Sequence, residues 1–363
     1  MPEFDHEYLF IPGPVEVRRE ILEAQGQWMI GHRSKVFAEL YARLQPKLKE
    51  SFGAGDAHRV YIYTSSGSGI WESASRCCVR DDQPVLHLVN GAFSERWAAV
   101  SRENGKQVDV IEVPWGRAVR PEQVADALKQ KRYDAVALVY NETSTGVLQP
   151  LPEIADVVRQ HEDTLLLVDA VSCWMGVEIR AVAWGLDLVV TSSQKAFALP
   201  PGIAFGLVSD RALARAAQVP HRGYYFDILT LEKHHQQNNT PATPPISLMF
   251  AADRQLDDIR AEGYANRFRR HQQMAERTRA WVQERGFAMF SEEGYHSPTV
   301  STVRNTRGID FPAMQAFLKA RNMALGGGYG KLKGETFRIA HMGDTQMAHL
   351  EALLAAMDAF LEQ

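Results

Sequence analysis

The chain has 363 residues, 45% of them hydrophobic and 23% charged, with a formal net charge of −4. That is globular composition with two to three domains' worth of chain, and it lacks the basic excess expected of a partner for nucleic acid or an anionic membrane. No apolar run approaches the roughly 20 residues a membrane-spanning helix needs, and three cysteines (Cys77, Cys78 and Cys173) make neither a disulfide framework nor a metal knuckle.

The first segment, MPEFDHEYLFIPGP, is acidic and short of apolar length. It does not read as a secretory signal, so a cytoplasmic location is expected. From residue 58 onward one local pattern recurs: a short β-branched apolar run that ends in small polar residues. It appears as HRVYIYTSSGSG at 58–69, PVLHLVNGAF at 84–93, DAVALVYNETSTG at 134–146, TLLLVDAVS at 164–172 and DLVVTSSQKA at 187–196. Continuous rather than alternating apolar runs predict strands buried on both faces, as in parallel sheets. Between them GIWESASRCCV, SERWAAVSREN, PEQVADALKQK and LPEIADVVRQHED read as helices. Strand alternating with helix predicts an α/β fold. In such sheets ligands sit beyond the carboxyl ends of the strands, where every one of these polar clusters falls.

Residues 220–247 are polar, aromatic and proline-rich, unlike a strand or a helix, and predict an extended segment or an inter-subunit arm. The stretch from 246 to 286 reads as one long helix. Strand signals TVSTVRN and TFRIAHM follow, with helices FPAMQAFLKARN and MAHLEALLAAMDAFLEQ. The expected division is a large domain over 15–250 and a smaller α+β domain over 251–363, joined by 1–14.

Three polar clusters carry the chemistry. Ser66, Gly67 and Ser68 follow a strand and open a helix, where backbone N–H groups favour an anion and glycine permits close approach. No Lys-Ser/Thr pair follows at P-loop spacing. Asp169 ends a run of four apolar residues, and a carboxylate so close to a buried strand is rarely left unpaired. It either caps a turn or holds a cationic nitrogen. Lys195 sits at a strand's end in apolar surroundings, which depress a lysine's pKa and expose a nucleophilic amine. A Schiff-base lysine, an aspartate facing a pyridinium nitrogen and a phosphate-binding turn together describe pyridoxal phosphate. The twelve histidines show no metal-ligand spacing, and no metal is expected.

The chain resembles the class V (fold type I) aminotransferases of the alanine–glyoxylate / serine–pyruvate type. The likeness rests on PGPVEV at 12–17, SSGSG at 65–69, VNGAFSERW at 89–97, NETSTGVLQP at 141–150, VDAVS at 168–172, SSQKA at 192–196, TPATPP at 240–245 and FRIAHMGD at 337–344. It implies a large domain with a mostly parallel seven-stranded sheet between helices, a smaller C-terminal α+β domain, and a homodimer with active sites at the subunit interface. It implies Lys195 as the lysine that joins the cofactor and shuttles a proton, and Asp169 as the partner of the ring nitrogen. Val171 and Phe93 would press the ring from its two faces. Ser66, Gly67, Ser68 and Gln194 would hold the phosphate, and Thr143 would lie near the phenolic oxygen. Thr240 and Thr243 fall in the segment through which the partner subunit reaches the phosphate. Arg338 matches the arginine that grips the substrate carboxylate, and Gly13 falls at the substrate side. Arginine suits that task because a carboxylate wants a bidentate guanidinium.

The reaction so implied is a ping-pong transamination from alanine or serine to glyoxylate or pyruvate. Same-fold relatives act on 2-aminoethylphosphonate, phosphoserine or ureidoglycine. Tyr329, Lys331 and Lys333 lie where the chain departs from the best-known alanine–glyoxylate enzymes, and read either as solvated loop charge, the favoured reading, or as a sign of an anionic substrate. A cysteine desulfurase would need a nucleophilic cysteine in the C-terminal half, and the last one here is Cys173. A binding-only protein would have no need of Lys195, Asp169 and Arg338 together.

Overall fold

The computed structural model describes residues 4–363. Its strands in chain order are β1 (Tyr8–Phe10), β2 (His58–Tyr63), β3 (Val85–Val89), β4 (Val108–Glu112), β5 (Ala135–Val139), β6 (Asn141–Glu142), β7 (Val147–Leu148), β8 (Leu165–Asp169), β9 (Leu188–Val190), β10 (Ala204–Ser209), β11 (Ala288–Met289), β12 (Val300–Arg304), β13 (Met323–Gly327) and β14 (Thr336–Ala340). Seven of them form one sheet in the order β2-β10-β9-β8-β5-β3-β4. The pairs β3–β4, β3–β5, β5–β8 and β8–β9 are parallel, and β10 runs antiparallel to both its neighbours.

The apolar runs feed two cores because successive side chains leave opposite faces of a strand. Val136, Leu138, Leu166, Val168 and Val189 enter one core. Ala135, Ala137, Leu165, Leu167, Leu188 and Val190 enter the other. Burial on both faces is why these strands show no polar alternation. The five predicted strands are all present. Two more belong to the sheet, β4 and β10, and sequence reading passed over them.

A five-stranded sheet in the order β1-β13-β14-β12-β11 carries the smaller core. The N-terminal strand β1 pairs parallel with β13. Phe10, Trp281, Phe337, Ile339, Leu350 and Leu353 pack together there.

Two expectations are corrected. The predicted single helix over 246–286 is two helices, Ile246–Glu262 and Tyr264–Glu284. Gly263 stands between them at φ +83, a conformation that glycine reaches without steric cost and that ends a helix. The segment 220–247 is not wholly extended: Ile228–His235 is helical, and the Asp227 side chain accepts from Leu229 N–H at its start. The helix Ile246–Glu262 passes through position 250, and its apolar residues as far as Ile259 join the large core. We propose that the division between domains be drawn at Gly263 rather than at 250.

Candidate active site

A cavity of about 190 Å³ opens at the carboxyl ends of the parallel strands. The chain reaches it in five places: after β2 with Ser66, Gly67 and Ser68; after β3 with Phe93; after β5 with Asn141 and Thr143; after β8 with Asp169, Val171 and Ser172; and after β9 with Gln194 and Lys195.

The turn after β2 runs into the helix Gly67–Cys78 with Ser66 at its N-cap, and the Ser66 side chain makes no cap hydrogen bond. The first N–H groups of that helix therefore keep their capacity for an outside acceptor. Gly67 is needed for space: a Cβ there would lie 2.7 Å from the Val171 side chain.

Asp169 is the last residue of β8 and is buried. Its carboxylate accepts from Trp71 Nε1 at 2.7 Å and from Val171 N–H at 2.7 Å. Burial nevertheless pushes it up to about 7, against the lowering effect of those two donors. A cation brought against it would relieve that cost. Lys195 is half-buried on the loop after β9, and its Nζ donates to Pro12 O. Burial, and then the nearby Arg338 guanidinium, lower it to about 8. Gly13 beside it has φ +124, and a Cβ there would stand 2.6 Å from Lys195 Nζ, so only glycine leaves room for the amine.

Asn141 donates to Ser172 Oγ at 2.7 Å and to Thr299 Oγ1 at 3.1 Å, while its Oδ1 is buried without a partner. A buried acceptor left unpaired is costly, and one on a cavity wall is suited to a ligand donor. Gln194 Oε1 accepts from Ser192 Oγ at 2.5 Å.

Arg338 lies on β14 between the buried Phe337 and Ile339, on the opposite face. Its Nε donates to Gly327 O at 2.8 Å, and its guanidinium lies over the Tyr329 ring, 5.5 Å from the centroid. Burial lowers it to about 10. Tyr329 in turn stacks on Phe93, with centroids 5.2 Å apart and planes within 16°. This corrects the favoured reading of Tyr329 as solvated loop. Lys331 and Lys333 are exposed, though Lys331 pairs with Glu95 at 2.6 Å.

Lys195, Asp169, Val171, Phe93, Thr143, Gln194 and the 66–68 turn thus share one cavity, with Gly13 and Arg338 beside it. Thr240 and Thr243 do not line it within this chain. Thr240 is buried, with its hydroxyl on Ala242 O, and Thr243 is exposed. Sequence reading missed Trp71, Asn141 and Arg96. Trp71 was findable, since it stands four residues after Gly67 and so on the same helix face.

A family model described as aminotransferase class V matches residues 17–331. The chain belongs to the class-V aminotransferases. It is 33% identical to an L-aspartate–glyoxylate aminotransferase of Paracoccus denitrificans, over 92% of this chain and 86% of that one. It is 31% identical to a serine–glyoxylate aminotransferase of Methylorubrum extorquens, over 98% and 90%. Among solved structures, an alanine–glyoxylate aminotransferase from Nostoc sp. superposes with a TM-score of 0.91 at 30% identity, covering 99% of this chain and 96% of that one. The fold is therefore that of the fold type I aminotransferases, and the protein is a transferase of amino groups, in a family that depends on pyridoxal phosphate.

Proposed function

We propose that this aminotransferase moves an amino group from a small amino acid to glyoxylate or pyruvate in two half-reactions, with pyridoxal phosphate held in the cavity around Lys195. The observation that carries the reading is the meeting, in one chamber, of the Lys195 amine and the buried Asp169 carboxyl, beside a helix start left open to an anion. These residues suit the cofactor on their own features. The 66–68 turn would take the phosphate, and Asp169 would gain a cation at the ring nitrogen. The unpartnered Asn141 Oδ1 would gain a donor, and Phe93 and Val171 would bound the ring plane. When bound, the cofactor supplies an aldehyde conjugated to an electron-accepting ring.

The chain's own groups do the rest. A lysine lowered to about 8 has a larger share of neutral amine near physiological pH than an ordinary lysine, so Nζ can condense with an aldehyde. With the cofactor and a substrate bound, a free Nζ would be placed to take and return a proton at the substrate's α-carbon. Asp169, held from two sides by Trp71 and Val171, would keep the cofactor's ring nitrogen in its cationic form. Arg338, anchored through Gly327, offers its remaining N–H groups to the substrate carboxylate. Thr240 and Thr243 would meet the phosphate of a second copy, making the homodimer the working unit. The lyase reading lacks its nucleophile: Cys173 is buried, which pushes its thiol well up.

The test is a donor and acceptor panel with the purified holoenzyme, read by single-turnover absorbance changes. Alanine or serine should discharge the cofactor band, and glyoxylate or pyruvate should restore it. Lys195→Ala should abolish both the band and turnover. A wild-type enzyme that no amino acid discharges, or a Lys195→Ala variant with an unchanged spectrum, ends this reading.

A further inference from the structure

One guanidinium lines the cavity and a second, that of Arg338, lies beside it, where one would serve a neutral donor. Arg96 lines the same cavity as Lys195 and Asp169. Its guanidinium carbon lies 5.8 Å from the Tyr329 ring centroid and that of Arg338 5.5 Å, so one aromatic ring is shared by both cations. Arg96 also sits 5.4 Å from the Phe93 centroid and donates to the Tyr329 hydroxyl at 2.5 Å. The two guanidinium carbons can be no farther apart than those two Tyr329 distances laid end to end, which is within reach of a short doubly charged molecule.

Among the described residues neither guanidinium has a carboxylate partner. The acidic neighbour in sequence, Glu95, is engaged by Lys331. The stack fixes Arg96 in place while leaving most of its N–H groups unused, so little rotamer freedom remains to be lost on binding. Planar guanidinium groups read carboxylates and phosphates bidentately.

We propose that Arg96, positioned by Tyr329, binds an acidic group on the side chain of the amino donor, so that the preferred donor is a doubly acidic amino acid rather than alanine or serine. The inference deepens the transamination reading and rests on it. Arg338 takes the α-carboxylate and Arg96 the distal anion, with the shared tyrosine ring as the spacer between them. A neutral side chain leaves Arg96 without a partner and gains nothing from it.

The experiment compares holoenzyme and the variants Arg96→Gln, Arg96→Lys and Tyr329→Phe. Donors are L-aspartate, L-glutamate, O-phospho-L-serine and L-alanine, with glyoxylate as acceptor. The ratio of kcat/KM for the best acidic donor over alanine should fall about tenfold or more in Arg96→Gln, because the acidic side chain loses a charge-assisted hydrogen bond. Arg96→Lys should restore part of it, and Tyr329→Phe should lower it in the same direction. The acidic donor with the largest loss distinguishes carboxylate from phosphate recognition. Binding is read separately by calorimetric titration with succinate and propionate. The wild type should hold succinate more tightly, and Arg96→Gln should hold the two alike. An unchanged donor ratio in Arg96→Gln, or a wild type that does not prefer succinate, overturns the proposal. Failure of every donor to discharge the cofactor would instead sink the transamination reading, while the succinate titration would still judge Arg96.

Discussion

Asp169 and Lys195 are displaced from their ordinary values in opposite directions by the same cause, burial. For Asp169 the folded-state value of about 7 lies above the ordinary 3.8, so the folded, cofactor-free chain holds that proton more tightly than the unfolded one. The carboxyl therefore costs no stability below about pH 4, and the cost grows until it is complete above about pH 7. At 1.36 kcal/mol per unit, the penalty in cofactor-free protein is at most about 4 kcal/mol. Asp169→Asn should remove this pH dependence, so the drop in urea midpoint between acidic and mildly alkaline buffer should be smaller than in wild type. An identical drop in both proteins would show that the carboxyl is not held at a cost. The same variant should bind the cofactor more weakly. Lys195 and Asp169 were legible in the sequence because each ends an apolar run, and a charge at such a place needs a reason. Arg96 was not legible. Its meaning depends on Tyr329, far away in the chain, and only folding brings the two rings and two cations together.

At the scale of elements, the helix Ala92–Glu103 shows how a buried charge aims a side chain. Glu142, fully buried on β6, accepts from the N–H groups of Phe93 and Ser94 and from the hydroxyls of Ser94 and Ser144. It caps the helix that presents Phe93, and the Gly91 backbone leaves it room, since a Cβ there would meet Glu142 Cγ at 2.4 Å. Glu142→Gln would point an amide N–H at groups that are themselves donors. We expect a loss of about 2–3 kcal/mol in chemical denaturation, together with weaker cofactor binding from a displaced Phe93. Stability within error of wild type would show that Glu142 does not cap this helix. The helices flanking the sheet were readable from periodicity. The break at Gly263 was missed: a glycine marks it, but the surrounding charge and apolar spacing run on through it. The helix at 228–235 was hidden by polar neighbours on both sides. Strands β4 and β10 were missed for different reasons. β4 is an edge strand whose residues are only partly buried, so its apolar signal is diluted. β10 is fully buried, but it follows the proline-rich turn after Lys195.

At the scale of the whole molecule, four of the seven large apolar side chains that stand exposed among the described residues lie between positions 22 and 36. Trp28 is 95% exposed and Met29 65%, with Val36 and Leu22 also open. Large apolar side chains left in water are what an interface covers, and the proposed second copy is the occupant that would also bring Thr240 and Thr243 to a phosphate. On the proposed homodimer, Trp28→Glu should shift the sedimentation velocity from dimer to monomer and lower cofactor affinity at the same time. A dimer unaffected by that charge would place the interface elsewhere.

What the sequence determined by itself was the alternation of strand and helix, the two-faced burial of the sheet, and the polar residues waiting at its carboxyl edge. These follow from short-range pattern, since a strand buried on both sides must be apolar throughout and its end must turn polar. What only the tertiary structure decided was which of those residues meet. The Trp71 donor on Asp169, the Pro12 carbonyl and Gly13 backbone against Lys195, and the ring shared by Arg96 and Arg338 are contacts between distant segments. No local spacing encodes them, because side chains far apart in the chain find their distances only when the strands and helices between them pack.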